Sequence, residues 1–563
     1  MKTKLIYAVL VYFIFIILVS QIKLKWDFTE DKRFTLSPSS ISVLQKIDTT
    51  ITIEIFLTGE LPQTYKKLGN SCNELMQVFK QINPNKINII YRNPLQDIKN
   101  DSVRQVVLDS LYYLGLPIES VSQKKSTESS SQLVIPGALV YYRNYPPLVL
   151  SLKNGRVIYK LIDIFNDIQK PDEEATQNEA ATLLENKFIQ AIYALSKPTV
   201  PIIGIVLGNA EAPIERIYDL FERTKKFYQV AFIDLNIGFP NPKILNTLLI
   251  IKPLRYFTEN EKYKLDQYIL HGGNVVWAID YVYAELDGLK NSNGSYLAYP
   301  YNLNLDDLFF AYGIRFNQSV VMDLNCAKLS IVIGKFENNQ PNIQRFPWPY
   351  FPLLSAVNKH PIAYNLDKVL AQFPGSIDTI KTPELKKTIL LATDTNSFVL
   401  ASPAIIKMQP VQSEQDFVFF NRHHIPIAVL VEGKCKSLFA YRQNLALNDS
   451  ILKQTQMTFL SKAVVPSKQV FISDADILTN SASENGYEPM GRIPHEEYTF
   501  ANAEFFLNIL DYFTSDIPIY ESRNKSYILR LLDKEKIERN RLFWQIMLIF
   551  LPILFFIVLN YLI

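Results

Sequence analysis

Both ends of this chain are apolar, and that restricts what it can fold into more than any other feature. From Leu5 to Ser20 the stretch LIYAVLVYFIFIILVS carries no charge, and Gln21 and Ile22 extend it before Lys23 and Lys25. At the other end Leu542 to Ile563, LFWQIMLIFLPILFFIVLNYLI, is interrupted by Gln545 and Asn560 as its clearly polar residues. As a helix this second segment is ~33 Å long, which matches the hydrocarbon core of a bilayer. Pro552 is tolerable there, and Trp544 and Tyr561 fall near the two interfaces. The expectation is a body anchored by one spanning helix at each end, residues 1–25 and 542–563, against membrane lipids. A cleaved signal peptide is the alternative for the first segment, but Ser20 and Leu18 make a poor small-residue cleavage pair.

Charge does not decide the orientation. Lys2 and Lys4 on one side of the first segment balance Lys23 and Lys25 on the other, while Arg530, Lys534, Lys536, Arg539 and Arg541 crowd the body side of the second. The positive-inside tendency would put the body in the cytoplasm, yet long domains translocate largely regardless of charge. The basic run also alternates with acids at helical spacing, as a solvated juxtamembrane stalk over 516–541 would.

Between the ends, 48% hydrophobic and 20% charged residues allow two or three domains with real cores. The 58 basic and 55 acidic residues are mixed along the chain and sum to +3, so no nucleic-acid footprint stands out. Residues 26–180 read as a small α/β domain. Its helix starts at Ser37-Pro38, its strands are Ile51 to Leu57, Ile87 to Tyr91 and Ala138 to Tyr142, and helical spacing runs over Leu68, Leu75, Met76 and Phe79. The polar stretches QKKSTESSSQ, 123–132, and QKPDEEATQ, 169–177, read as an exposed loop and a linker.

Residues 181–515 show a cleaner alternation. Strands Ile202 to Gly208, Val230 to Asp234, Leu248 to Lys252 and Asn274 to Asp280 are joined by a helix from Ile214 to Lys226 after the first and by one after the third that opens with the capping-box pair Thr258 and Glu261. This predicts a flavodoxin-like parallel sheet covered on both faces, completed by strands near 387, 427 and 469, with a Pro-, Asn- and Tyr-rich lobe inserted at about 287–421.

Such a sheet binds ligands at the carboxyl ends of its strands. Those ends read Gly208-Asn-Ala-Glu211, Lys252-Pro-Leu-Arg255, Asp280-Tyr-Val-Tyr and Ser473-Asp-Ala-Asp476. An acyl-transfer enzyme of this architecture needs a nucleophile on a tight turn with a histidine as its base, and Lys252 to Phe257 offers neither Cys nor Ser. His271, His360, His423, His424 and His495 lie in no such motif, and Cys72, Cys326 and Cys435 form no metal or disulfide pattern. Asp474 and Asp476 are better read as a solvated capping turn than as metal ligands. No phosphate loop or dinucleotide fingerprint is present. The expectation is therefore no catalytic residue, no metal and no cofactor. The aromatics Trp348, Tyr350, Tyr301 and Tyr312 are a weak ligand-site candidate, set against the simpler reading that they are core.

Several long stretches carry a family resemblance: DFTEDKRFTLS from Asp27, FTENEKYKLDQYILHGGNVVWAID from Phe257, LNLDDLFFAYGIRFN from Leu303, FPWPYFPLL from Phe346, and LRLLDKEKIERN before the last segment. These resemble the GldG family, the auxiliary, nominally substrate-binding component of the ABC transporter associated with gliding motility in Bacteroidetes. The resemblance implies an inner-membrane protein with its body on the periplasmic side, partnered by a permease and a cytoplasmic ATPase. It also implies a central region related to the class I amidotransferase-like fold without its catalytic cysteine, and it transfers no catalytic residue.

Overall fold

The computed structural model describes residues 35–522 apart from short internal stretches, the longest being 154–158, 164–167, 336–340, 409–413 and 494–497, together with a few helical residues between 543 and 550. The chain divides into two units, residues 1–33 with 526–563, and residues 34–525. The second unit holds two α/β domains.

Anchoring is where the expected fold class is corrected. Among the described residues no helix is long and apolar enough to cross a membrane. The longest described helices, Gln63–Ile82 and Glu173–Ser196, carry charges along their length. The segments at 5–22 and, but for a few residues, 542–563 lie outside the described residues, as does most of the stalk. The fold class is thus mixed α/β with several sheets, without a described anchor helix.

The first domain begins with helix α1, Pro38–Gln45, whose N-cap Ser37 accepts the Ser40 N–H. Strand β1, Ile51–Ile55, is followed by α2, Gln63–Ile82, β2, Ile87–Tyr91, and the surface helix α3, Asp101–Tyr113. Strands β3, Gly137–Tyr142, and β4, Leu148–Ser151, complete a sheet ordered β2-β1-β3-β4, parallel only at β1–β2. The expected loop at 123–132 is instead part of a polar hairpin pairing Glu119–Lys125 with Glu128–Val134. The expected linker holds a short strand, Ile168–Pro171, and the start of α4, Glu173–Ser196, capped by Asp172. Alternation could not reveal either, because the stretches 123–132 and 169–177 hold almost no apolar residue.

Helix α4 lays Leu184, Phe188, Ile189 and Ile192 into the core shared by β1, α2 and β3, with Phe188 edge-on to Phe79 at 6.4 Å. Its Glu185 holds the start of α1, accepting from the Ser37 N–H at 2.8 Å and the Ser40 hydroxyl at 2.7 Å.

The second domain is built on one large sheet. Its parallel half comprises β5, Ile202–Leu207, β6, Gln229–Asp234, β7, Leu245–Ile251, and β8, Asn274–Ala278, with helices α5, Tyr218–Thr224, and α6, Glu259–Leu270, in the crossovers. Further on come β9, Cys326–Lys335, β10, Pro341–Ala356, β11, Leu385–Ala392, β12, Pro426–Gly433, and β13, Ser467–Ile472, before α7, Asn502–Thr514. The order is β6-β5-β7-β8-β13-β12-β11-β10-β9. The first five strands are parallel and keep the doubly wound 2-1-3-4-5 order. From β13 onward every pairing is antiparallel, so the wholly parallel sheet is corrected to a mixed one. A run of Val, Ile and Leu buried on both faces looks the same in either direction, which is why the hydrophobic pattern did not distinguish them.

Helix α7 covers one face with Phe505, Phe506, Ile509 and Leu510, and α6 covers the other with Leu265, Tyr268 and Ile269. The capping box at Thr258 and Glu261 is formed. The two domains meet around Asp511 of α7, which accepts hydrogen bonds from Gln190 of α4 at 3.0 Å and from the Tyr228 hydroxyl at 2.7 Å. After α7 the chain returns to the first domain, burying Ile519 in its core.

Candidate functional site

The carboxyl ends of the parallel strands form the candidate site. Immediately after β7, Lys252 adopts a left-handed conformation with φ 53°, a geometry that L residues enter at a cost and that often marks a functional turn. Its ammonium lies 2.7 Å from Glu285 Oε1, 2.9 Å from Asp476 Oδ2 and 3.2 Å from Asp280 Oδ2. Arg216 also reaches Asp476, at 3.2 Å from Oδ1. The acids are themselves held: the Ala475 N–H donates to Asp280 Oδ1 at 2.7 Å, and Thr479 donates to Asp476 Oδ1 at 2.8 Å. Asp474 accepts the Gln372 N–H at 2.5 Å and the Asp476 N–H at 2.8 Å.

Burial alone would lower the Lys252 pKa. The three carboxylates outweigh it and hold the ammonium well above its ordinary value. Asp476 feels the same burial in the opposite sense, but Lys252 and Arg216 bring its carboxyl below the usual range. Asp474, buried and facing Asp476 and Asp280 with no cation of its own in that balance, is pushed well above it. The oxygens of Asp280, Glu285 and Asp476 lie within 4.8 Å of one another, a spacing that would suit a metal. The cation at their centre is the lysine.

This arrangement determines what the turn can do. In doubly wound hydrolases a strained residue after a central strand displays the nucleophile. A lysine nucleophile must be neutral, and Lys252 is a locked ammonium. The thiols of Cys72, Cys326 and Cys435 are each pushed up to about 12 by burial, which keeps them protonated. His423 and His424 neighbour each other with ring centres 6.3 Å apart, and His360 packs on Tyr512. His495 lies outside the described residues.

A second feature lies at the end of β5. Gly208 and Ala210 have φ of 120° and 54°, and Glu211 folds back to accept the Asn209 N–H at 2.8 Å. Burial pushes the Glu211 carboxyl up to about 7.

The four aromatics named from the sequence do not converge. Trp348 and Tyr350 stand 5.7 Å apart in one buried cluster with Phe351 and Phe373. Tyr312 is wholly buried in another, donating its hydroxyl to Asp266 at 2.9 Å. Tyr301 is half-buried beside Tyr283 and Tyr299. The residues that sequence reasoning missed are Arg216 and Glu285: each sits in a short helix or at its cap, and nothing in its local pattern points to Lys252.

A mixed sheet with a doubly wound half, whose strand ends carry a buried ion cluster, defines the class of α/β domain. This chain belongs to the auxiliary family described as an ABC-type uncharacterized transport system, whose model matches residues 201–509, more than half of the chain. Residues 30–141 match a domain of unknown function. An uncharacterized protein of Borreliella burgdorferi is 22% identical over 495 residues, covering 86% of this chain and 83% of that one. Among solved structures, the N-terminal domain of mmIFT52 aligns with 56% of this chain and 99% of its own at 13% identity and a TM-score of 0.31. The exo-beta-1,4-mannosidase Op5Man5 from an Opitutaceae bacterium aligns with 54% of this chain and 35% of its own, at 8% identity and a TM-score of 0.20. At those scores neither likeness bears on fold or function.

Proposed function

We propose that this protein is a non-enzymatic accessory subunit that serves its ABC-type transporter as a rigid docking body. Membership of the auxiliary family implies a permease and an ATPase as partners and suggests a non-enzymatic role. The observation that carries the docking reading is the clamp at Lys252, which fills the strand ends with an internal cation where this topology ordinarily receives a ligand. The junction at Asp511, which ties α4 to α7, supports a body that moves as a unit. The finer parts of the proposal, service to the gliding-motility transporter and a station on the periplasmic side, draw on the resemblance of the motifs around Phe257, Leu303 and Phe346. Affinity isolation of the tagged full-length chain from its native cells tests the reading: permease and ATPase subunits are expected to come with it, and their absence under mild extraction would overturn it.

A further inference from the structure

Strand β6 ends the large sheet on its parallel side, pairing with β5 and, among the described residues, with no other strand. The Gln229 N–H bonds the Pro201 carbonyl at 3.1 Å. Because bonding alternates along a parallel ladder, Gln229, Ala231 and Ile233 face β5, while Val230 and Phe232 turn their N–H and C=O groups outward. Edge strands are normally blunted by proline, a bulge or an edge lysine. QVAFID has none of these. Phe232 is 49% exposed, and Ile237, just beyond the strand, is 79% exposed.

We infer that this edge pairs with the same edge of a second copy, antiparallel about a two-fold axis through Ala231. In that register Val230 of each copy exchanges both main-chain bonds with Phe232 of the other, so the four outward groups of these two residues are used, while the Asp234 carbonyl already takes the Gly238 N–H at 2.8 Å. The charges agree with the choice of partner. Lys225 is paired with Glu222 at 2.7 Å, but the exposed Lys226 precedes the strand and Asp234 closes it, so reversal about Ala231 brings the Lys226 end of one copy toward the acidic exit of the other. A two-fold interface must be self-complementary, and this edge is. The inference does not depend on the transport reading.

The two Ala231 residues become a directly opposed, non-hydrogen-bonded pair with Cα atoms ~4.5 Å apart, inside the range a disulfide spans. Purified full-length Ala231→Cys is therefore expected to give a disulfide-linked dimer on mild oxidation. Both this variant and its parent carry Cys326→Ser, because that thiol is only partly buried; the parent, left with the buried Cys72 and Cys435, is not expected to link. Adding Phe232→Pro, which removes an outward N–H that a folded edge strand does not need, should abolish the link and weaken the wild-type dimer at least roughly tenfold in sedimentation. Should the proline variant fail to fold by circular dichroism, Phe232→Lys, which keeps the N–H but sets a charge on the edge, provides the same readout. A wild-type chain that sediments as a monomer at the highest concentration reached, an unlinked Ala231→Cys, or a link that survives Phe232→Lys would each overturn the inference.

Discussion

Lys252 and Asp266 are charged side chains buried on opposite terms. Lys252 is surrounded by acids, and its replacement by methionine leaves Asp280, Glu285 and Asp476 sharing a buried space with only Arg216 at its rim. Removing one partner of a buried ion cluster costs about 3–5 kcal/mol. Protonation of the abandoned carboxylates relieves that cost, so urea denaturation should find Lys252→Met far weaker than wild type at pH 8 and closer to it at pH 5. Asp266 has donors but no cation: Tyr312, Ser437 and the Leu438 N–H all bond its carboxylate. Its burial pushes the pKa from 3.8 up to about 6. The folded state therefore holds this proton more tightly than the unfolded chain. The associated stability is fully present below pH 3.8 and is lost as pH rises through 6, a change of about 3 kcal/mol. Asp266→Asn should flatten that part of the stability profile, and an unchanged slope between pH 4 and 6 would count against this account.

Among the elements, the glycine between β12 and the loop after it is the least replaceable. Gly433 has φ 138°, and a Cβ there would lie 2.1 Å from the Glu384 carbonyl oxygen. Gly433→Ala is expected to destabilise by more than the about 1 kcal/mol typical of point changes, read as a lowered melting temperature. Thr258→Ala, by contrast, removes only the capping contact of α6 and should cost about 1 kcal/mol. That cap was legible in the sequence because its residue types and spacing are local. So were the apolar runs of β5, β7 and β8 and the four strand ends that gather at the candidate site. The direction of β11 and β12 was not, since pairing sense is set by crossovers far along the chain. Nor was the clamp, for Lys252 and Asp476 are 224 residues apart. Trp348, Tyr350 and Tyr312 illustrate the same limit from the other side: an aromatic that packs a core and one that lines a pocket have identical local sequence.

For the whole body, the junction at Asp511 couples the two domains. It bonds Gln190 of the first domain and Tyr228 of the second, and Ile519 beyond it closes the first domain's core. Asp511→Ala is expected to split one cooperative urea transition into two, resolved by tryptophan fluorescence and far-ultraviolet circular dichroism. A single coincident transition would show that apolar packing alone joins them. The clamp at Lys252 also has a consequence in time. At ribosomal speeds of about 5–20 residues per second, Lys252 leaves the peptidyl-transferase centre roughly 10–45 seconds before Asp476 does. Throughout that interval β7 and β8 exist without β13, their neighbour in the sheet, and Lys252 has only Asp280 and Glu285 to meet. The parallel half can therefore close only once β13 has been made, so it folds long after its own first strands emerge and is a natural client for whatever shields nascent strands.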